Sequence, residues 1–345
     1  MKEDKNLLEF VSTLSGEDVL RVEESLGSGF VRLRVAEAER RQAKHDIQCV
    51  EDAVIEMLRN ARDAGCERIF VASSKEGDNR CVLMVDDGAG IPREMFDVIF
   101  DARVTTKLDT MRMDAWGVHG RGMALYSIRE NASSARVVWS EVGTGSVLEV
   151  NFDTRETRER AEQSAWPSVQ YEQGKRVVRG PRNIVRACVE FALESEDECR
   201  VYYGSPSEII ATMRALSRHD TAEHASPIAM FGYASSARDV REQAETLGFT
   251  LSERTAHRIA SGQIRPVRHV LSGLVTQRGE KRRGTAMDAP RRIAIGDDDI
   301  EAFAADLKQA FAMIESQYYV KLAGEPKVRS KAGTIVVEFP YLDDE

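Results

Sequence analysis

Residues 50–65, Val50-Glu-Asp-Ala-Val-Ile-Glu-Met-Leu-Arg-Asn-Ala-Arg-Asp-Ala-Gly65, constrain this chain more than any other stretch. Read as a helix, the segment puts Val50, Val54, Met57, Leu58 and Ala61 on one side. Glu56, Asn60 and Asp63 fall on the other, because residues three and four apart stack on one face. Gly65 suits the left-handed position that closes a helix. A carboxylate and a carboxamide one turn apart have a joint chemistry. The amide oxygen can ligate a hard cation such as magnesium, and the carboxylate can orient or deprotonate a nearby water. Taken alone, such a face is more often just the wet side of an amphipathic helix. Motifs further along the chain decide between the two.

Size and charge narrow the classes. A chain of 345 residues exceeds one ordinary core, so two domains are expected. The net charge of −9 argues against coating of nucleic acid by the whole molecule, though a local basic patch stays compatible with it. The five cysteines form no CxxC pair and lie far from clustered histidines. They read as reduced, packed thiols, not as a disulfide frame or a zinc site. No signal-like start and no apolar run of ~18 residues is present, so a cytoplasmic protein without a membrane span is expected.

After the helix, Arg68–Ala72 and Arg80–Val85 read as strands joined by a turn at Lys75–Asn79. The second is continuously apolar, which implies burial on both faces. It ends in Asp86-Asp-Gly-Ala-Gly-Ile-Pro92. Gly88 and Gly90 let backbone approach a ligand closely, and a carboxylate at Asp86 can accept a hydrogen bond from an exocyclic amine such as that of adenine. A plain Asp-Gly turn is the competing reading. Arg93–Phe100 reads as a short helix, and the polar stretch 101–109 as a lid or a surface loop. Next comes Trp116-Gly-Val-His-Gly-Arg-Gly-Met123, where Gly117, Gly120 and Gly122 open a helix. Backbone N–H groups at such a start suit phosphates. Residues 135–140 and 146–152 read as a hairpin, with Thr144 in its turn, where it can meet a nucleotide or only shape the turn.

In order, Glu-x-x-x-Asn, Asp-x-Gly-x-Gly and Gly-x-x-Gly-x-Gly resemble the GHKL ATPase superfamily of gyrase B subunits, heat-shock chaperones, histidine kinases and MutL. The resemblance covers about residues 45–152. Gly117-Val-His-Gly-Arg-Gly122 is similar to the gyrase form, and Val104-Thr-Thr-Lys107 to the MutL and gyrase lid. It implies an α+β architecture: a Bergerat-type α/β sandwich that binds ATP and Mg2+. On matching positions, Glu56 is the expected general base, Asn60 the magnesium ligand and Asp63 a brace for the motif by ion pairing. Asp86 is the expected adenine reader, with Gly88, Gly90 and Ile91 beside it. Gly117, His119, Gly120, Arg121 and Gly122 are expected at the phosphates, Lys107 as a lid contact and Thr144 near the base.

The expected organisation is an N-terminal segment (1–35), the ATP-binding domain (36–152), a charged linker or solvated helix (153–174) and a second α+β domain (175–345). Within that last part, helices are expected at 181–193, 205–216, 237–247, 252–260 and 297–317, with strands at 200–203 and 334–339. The pair 240–258 resembles a helix-turn-helix in outline, but its spacing after Gly248 departs from that pattern, and a plain helical hairpin is the stronger reading. Residues 263–292 are basic and could contact a phosphate backbone or form a solvated loop.

The function these features imply is an ATP-hydrolysing switch, with a homodimer formed on ATP binding and a protein or DNA partner met through the second half. Alternatives are a signalling protein of the histidine-kinase or anti-sigma type, or a nucleotide-binding scaffold without turnover. Glu56 favours hydrolysis, since water must be activated, and only ~50 residues precede the motif, too few for a phosphoacceptor helical hairpin.

Overall fold

The computed structural model describes residues 22–35, 37–106, 112–114, 117–119, 122–172, 175–196, 198–217, 226–272, 307–308, 311, 315, 320–331 and 334–343. The chain divides into two compact units, Met1–Thr276 and Gln277–Glu345.

Unit 1 is built on a five-stranded sheet. Its strands are β3 (Arg68–Glu76), β4 (Asn79–Asp86), β8 (Ser134–Glu141), β9 (Gly145–Asp153) and β12 (Arg200–Gly204), in the order β12-β3-β4-β9-β8. Neighbours run antiparallel except for β12, which lies parallel to β3. Side chains alternate across the sheet, as the two-residue period requires. Ile69, Val71, Val82, Met84, Leu148, Val150 and Phe152 face one core. Phe70, Ala72, Leu83, Val85 and Val147 face another. The continuously apolar β4 is therefore buried on both faces, as its composition implied.

The first core is covered by α2 (Val50–Asp63), α3 (Ala124–Asn131) and α4 (Ile184–Glu194). The apolar face of α2 is as anticipated: Val50, Val54, Met57, Leu58 and Ala61 are all buried. Gly65 follows it at φ 74°, in the left-handed region. A further helix, α1 (Glu37–Asp46), precedes it and packs near α3. The N-terminal hairpin β1 (Val22–Gly27) and β2 (Phe30–Leu33) pairs with the two-residue strand β5 (Val104–Thr105), so part of the polar 101–109 stretch is held in a sheet. Two short strands, β6 (Arg112–Asp114) and β7 (Gly117–His119), form a hairpin beyond it. Where one helix was expected at Arg93–Phe100, the chain makes two 3-10 turns that bury Met95, Ile99 and Phe100.

The second half departs from the expected plan. A linker or solvated helix was expected at 153–174, but that segment is an ordered strap ending in β10 (Ser168–Glu172), which pairs with β11 (Lys175–Arg179). Glu51 of α2 accepts hydrogen bonds from the Arg160 amide (3.0 Å) and Gln163 Nε2 (2.8 Å). Asn183 Nδ2 donates to the carbonyls of Glu162 and Ala165. Beyond the strap, β12 completes the central sheet, and α5 (Pro206–Ser217), α6 (Ala237–Thr246) and α7 (Glu253–Ala260) bury its second face. Phe70 stacks on Tyr202 with ring centroids 4.9 Å apart. The boundary between units thus lies at 276–277, not at 153–174. The physical reason is the apolar second face of β3, β4 and β9, which the helices after residue 205 remove from water.

The helices and strands expected at 181–193, 200–203, 205–216, 237–247 and 252–260 are present as α4, β12, α5, α6 and α7. The turn between α6 and α7 packs on the sheet: a Cβ on Gly248 would lie 2.6 Å from Val138 Cγ1. Unit 2 contains β13 (Val320–Leu322) paired with β16 (Tyr341–Asp343), and β14 (Lys327–Lys331) paired with β15 (Thr334–Glu338). Phe311 stacks on Phe339 there. Most of the basic stretch 263–292, and the helix expected at 297–317, lie outside the described residues.

Candidate nucleotide site

Three segments far apart in sequence meet at one cavity of about 1080 Å3. From α2 come Glu56, Asn60 and Asp63; from the end of β4 and its turn come Asp86, Gly90 and Ile91; from the start of α3 come Gly122, Met123 and Leu125. The N-terminal hairpin adds Ser28 and Phe30, and α1 adds Gln42 and Asp46.

Asp86 is the best-defined group. Its side chain is only 3% exposed. Oδ1 accepts from the Gly88 amide at 2.9 Å and Oδ2 from Ser146 Oγ at 2.6 Å. Burial pushes the carboxyl up to about 6, against the opposing pull of those two hydrogen bonds. A carboxylate so fixed presents its remaining lone pairs to the cavity in one direction. That suits a planar donor such as an exocyclic amine.

The turn after Asp86 is built by backbone packing. Gly90 has φ 69°, and a Cβ there would lie 2.1 Å from the Glu141 carbonyl oxygen. Gly145 has φ 133°, and a Cβ there would lie 2.1 Å from the Asp86 carbonyl oxygen. The Asp86–Ile91 turn and the β8–β9 turn therefore touch main chain to main chain, and only glycine permits it. The Gly143 amide donates to Ala89 O at 2.8 Å, and Ile91 N donates to Ser140 Oγ at 2.6 Å. Asp87 locks the other side by accepting from the amides of Glu67 and Arg68 and from Arg68 Nε.

Asn60 reaches the same cavity, and its Nδ2 is buried without a hydrogen-bond partner among the described residues. An unsatisfied buried N–H donor is unusual in a fold that needs nothing more there; an acceptor oxygen brought in by a ligand, such as that of a phosphate, would satisfy it. Among the described residues no group of three or more His, Cys, Asp and Glu side chains is arranged to hold a metal. Magnesium keeps several waters and draws on substrate phosphates rather than on an all-protein cage, and the Asn60 amide oxygen is a hard oxygen ligand of the kind it accepts. The residues therefore fit a magnesium–phosphate group.

Glu56 is half-buried, with 22% of its side chain exposed. Arg59 Nη1 donates to its Oε1 at 2.5 Å. Burial raises the Glu56 carboxyl, with Arg59 pulling the other way and Asp114 and Asp46 adding to the rise. Asp63 sits beside Arg62, with Nε–Oδ1 at 3.7 Å. At the start of α3, the Gly122 carbonyl accepts from Arg103 N at 2.8 Å, while the Arg103 carbonyl accepts from Leu33 N at 3.0 Å. Arg103 takes a left-handed conformation, φ 62°, to make both bonds. This ties the start of α3 to the N-terminal hairpin.

The other expected site residues either are not among those lining the cavity or lie outside the described residues. Gly88 packs against Ala64, which lines the cavity, and is not itself among the lining residues. Thr144 is buried in the β8–β9 turn, 7% exposed, and donates to Glu141 O at 3.1 Å. Gly117 and His119 lie in β7 of the hairpin. Lys107, Gly120 and Arg121 fall outside the described residues. Sequence reasoning overlooked Ser146, Arg59 and Asp114. The only signal for Ser146 is its register opposite Asp86 in the β4–β9 ladder.

Comparison with known proteins agrees with this geometry. Residues 47–179 match the family described as "Histidine kinase-, DNA gyrase B-, and HSP90-like ATPase". The DNA mismatch repair protein MutL of Thermus aquaticus is 41% identical over 85 residues, 24% of this chain and 15% of that protein. Residues 47–179 are a GHKL-type ATPase domain of the gyrase B/MutL kind. MutL of Methanothrix thermoacetophila is 31% identical to the chain over 112 residues, 29% of this chain and 20% of that one. The match thus spans only 15–20% of the length of these relatives. Full-length ShkA in complex with AMPPNP, at 16% identity, covers 67% of this chain and 57% of that one with a TM-score of 0.22, too loose a likeness to bear on this fold. No helix among the described residues is long and apolar enough to cross a membrane.

Proposed function

We propose that the GHKL domain binds ATP with magnesium and hydrolyses it, and that this cycle switches the chain's contact with a partner. The observation that carries the reading is the convergence of Asn60, Asp86 and Gly122 on one cavity. In this reading Asp86 accepts from the adenine amine, Asn60 holds the magnesium and the N-terminus of α3 receives phosphate. Magnesium, when bound, neutralises phosphate charge. Glu56 takes a proton from the attacking water, as a buried carboxylate of raised basicity can. A thermal-shift titration with ATP and magnesium tests binding, because a ligand selective for the folded state raises the melting temperature. Phosphate release by wild type and Glu56→Gln tests turnover. Sedimentation with a non-hydrolysable analogue tests whether ATP brings two copies together. Label appearing on a protein would move the reading to a kinase.

A DNA partner is favoured by one specific feature. On α7, Arg254, His257 and Arg258 are exposed at helical spacing, and Arg265 and Arg268 follow, also exposed. None of these arginines pairs with a described residue, whereas Arg238 and Arg241 of α6 are paired to Glu242 and Glu245. Uncompensated arginines on one helix suit a phosphate backbone. Duplex binding that weakens steeply with salt, with a shallower slope in Arg254→Glu/Arg258→Glu, is the expected outcome. Salt-independent or absent binding removes this partner.

A further inference from the structure

Five side chains form a row of alternating charge beside the cavity. Arg59 Nη1 meets Glu56 Oε1 at 2.5 Å. Arg59 Nε meets Asp114 Oδ2 at 2.8 Å, and its Nη2 closes a second bond to Asp114 Oδ1. Arg62 Nη2 lies 3.5 Å from Asp114 Oδ2, and Arg62 Nε lies 3.7 Å from Asp63 Oδ1. Four of the five stand on α2. Asp114 alone comes from elsewhere, the β6 strand of the β6–β7 hairpin.

The Arg59–Asp114 pair is almost wholly buried, at 4% and 5% exposure. Burying two charges is costly unless the geometry is good and every lone pair is used. An apolar side chain at position 59 would have packed more cheaply, so stability is a poor reason for this pair. Its geometry points to another role. The two-pronged bond to Asp114 fixes the plane of the guanidinium. The remaining nitrogen then holds one oxygen of Glu56, while Oε2 makes no hydrogen bond with a described residue. A carboxylate tied by one oxygen and open to the cavity by the other is in the posture of a base.

We propose that Arg59, locked by Asp114, is a positioning residue for Glu56, so that the β6–β7 hairpin must be docked for the carboxylate to be aimed. This rests on the hydrolysis reading above. It adds that docking of the β6–β7 hairpin and alignment of the base are one event, transmitted through a single guanidinium.

The test measures turnover and nucleotide affinity for Arg59→Ala, Arg59→Lys and Asp114→Asn, alone and on a Glu56→Gln background. We expect kcat to fall about 10- to 100-fold in Arg59→Ala and Asp114→Asn, the scale of a base misplaced by an ångström. Affinity for a non-hydrolysable ATP analogue stays within about threefold. Arg59→Lys restores little, since an ammonium cannot make the fork. On the Glu56→Gln background, Arg59→Ala produces no further loss, because a residue acting through another has nothing left to act on. Further loss on that background, wild-type kcat in the single variants, or loss of analogue binding in both Arg59→Ala and the isosteric Asp114→Asn would each overturn the proposal. Wild type without turnover overturns the hydrolysis reading itself and this proposal with it; Glu56→Gln with wild-type turnover leaves hydrolysis standing but removes Glu56 as the base, and with it this proposal.

Discussion

Ser146 Oγ donates to Asp86 Oδ2 at 2.6 Å across the register of β4 and β9. The bond holds down a carboxyl that burial would otherwise push still higher. Ser146→Ala removes a charge-assisted hydrogen bond of about 1.5–3 kcal/mol. Affinity for ATP should fall about 10-fold or more near neutral pH, since ~1.4 kcal/mol is tenfold. Isothermal titration of the variant checks it, and unchanged affinity would remove Asp86 from the binding account.

The raised basicity of Asp86 sets a pH dependence. Its folded value, about 6, exceeds the ordinary 3.8. Its contribution to stability is therefore fully present below the ordinary value and is lost as pH rises through about 6. A difference of that size corresponds to about 3 kcal/mol as an order of magnitude. Denaturant melts between pH 7 and pH 5 should show the apoprotein gaining stability from this group, and Asp86→Asn should flatten the gain. ATP affinity should move the opposite way, weakening as pH falls through about 6, because the ligand needs the ionised acceptor.

Glu56 titrates on the same side. Burial raises it, with Arg59 opposing. The base form is lost as pH falls through that raised value, so the acid limb of kcat should lie above the ordinary glutamate value. Glu56→Gln should lower phosphate release by about 10²- to 10⁴-fold while leaving nucleotide affinity nearly intact. A wild-type rate in this variant would make the chain an enzyme with a different base, and no turnover in the wild type would leave it a scaffold.

The two glycines that press main chain on main chain predict a structural failure. Gly90→Ala or Gly145→Ala sets a methyl 2.1 Å from a carbonyl oxygen at a positive φ. A loss of more than about 2 kcal/mol is expected in denaturant melts. Gly65→Ala is the control: its φ is also positive, but nothing lies within 4 Å of the added carbon, so its cost should be smaller.

Truncation tests the architecture. Ending the chain at residue 174 strips the cover from Phe70, Leu83, Val85 and Val147 and exposes one apolar face of the sheet. That product should aggregate or melt without cooperativity. Ending it at residue 276, the division between the units, should leave a folded, nucleotide-binding protein. Differential scanning calorimetry of both separates the outcomes.

Much of the site was legible locally. The face of α2, the apolar run of β4 and the Asp-x-Gly-x-Gly turn each depend on neighbours within about four residues, where helix and strand periods speak directly. What composition and spacing could not reach were contacts between distant segments. Ser146 meets Asp86 across 60 residues and Asp114 meets Arg59 across 55, and neither pairing leaves a periodic trace. Spacing alone could not reach a further contact of Gly90: its missing side chain makes room for the Glu141 carbonyl, a partner known only once β8 is in place.

The sequence by itself determined that an amphipathic helix, a buried strand and glycine turns occur in the order of a GHKL domain, because local sterics and burial periodicity are written into adjacent residues. Only the tertiary structure decided that β12 joins the same sheet and that α5–α7 cover its second face. Apolar area must be covered by something, and which segment does so depends on where the whole chain can reach.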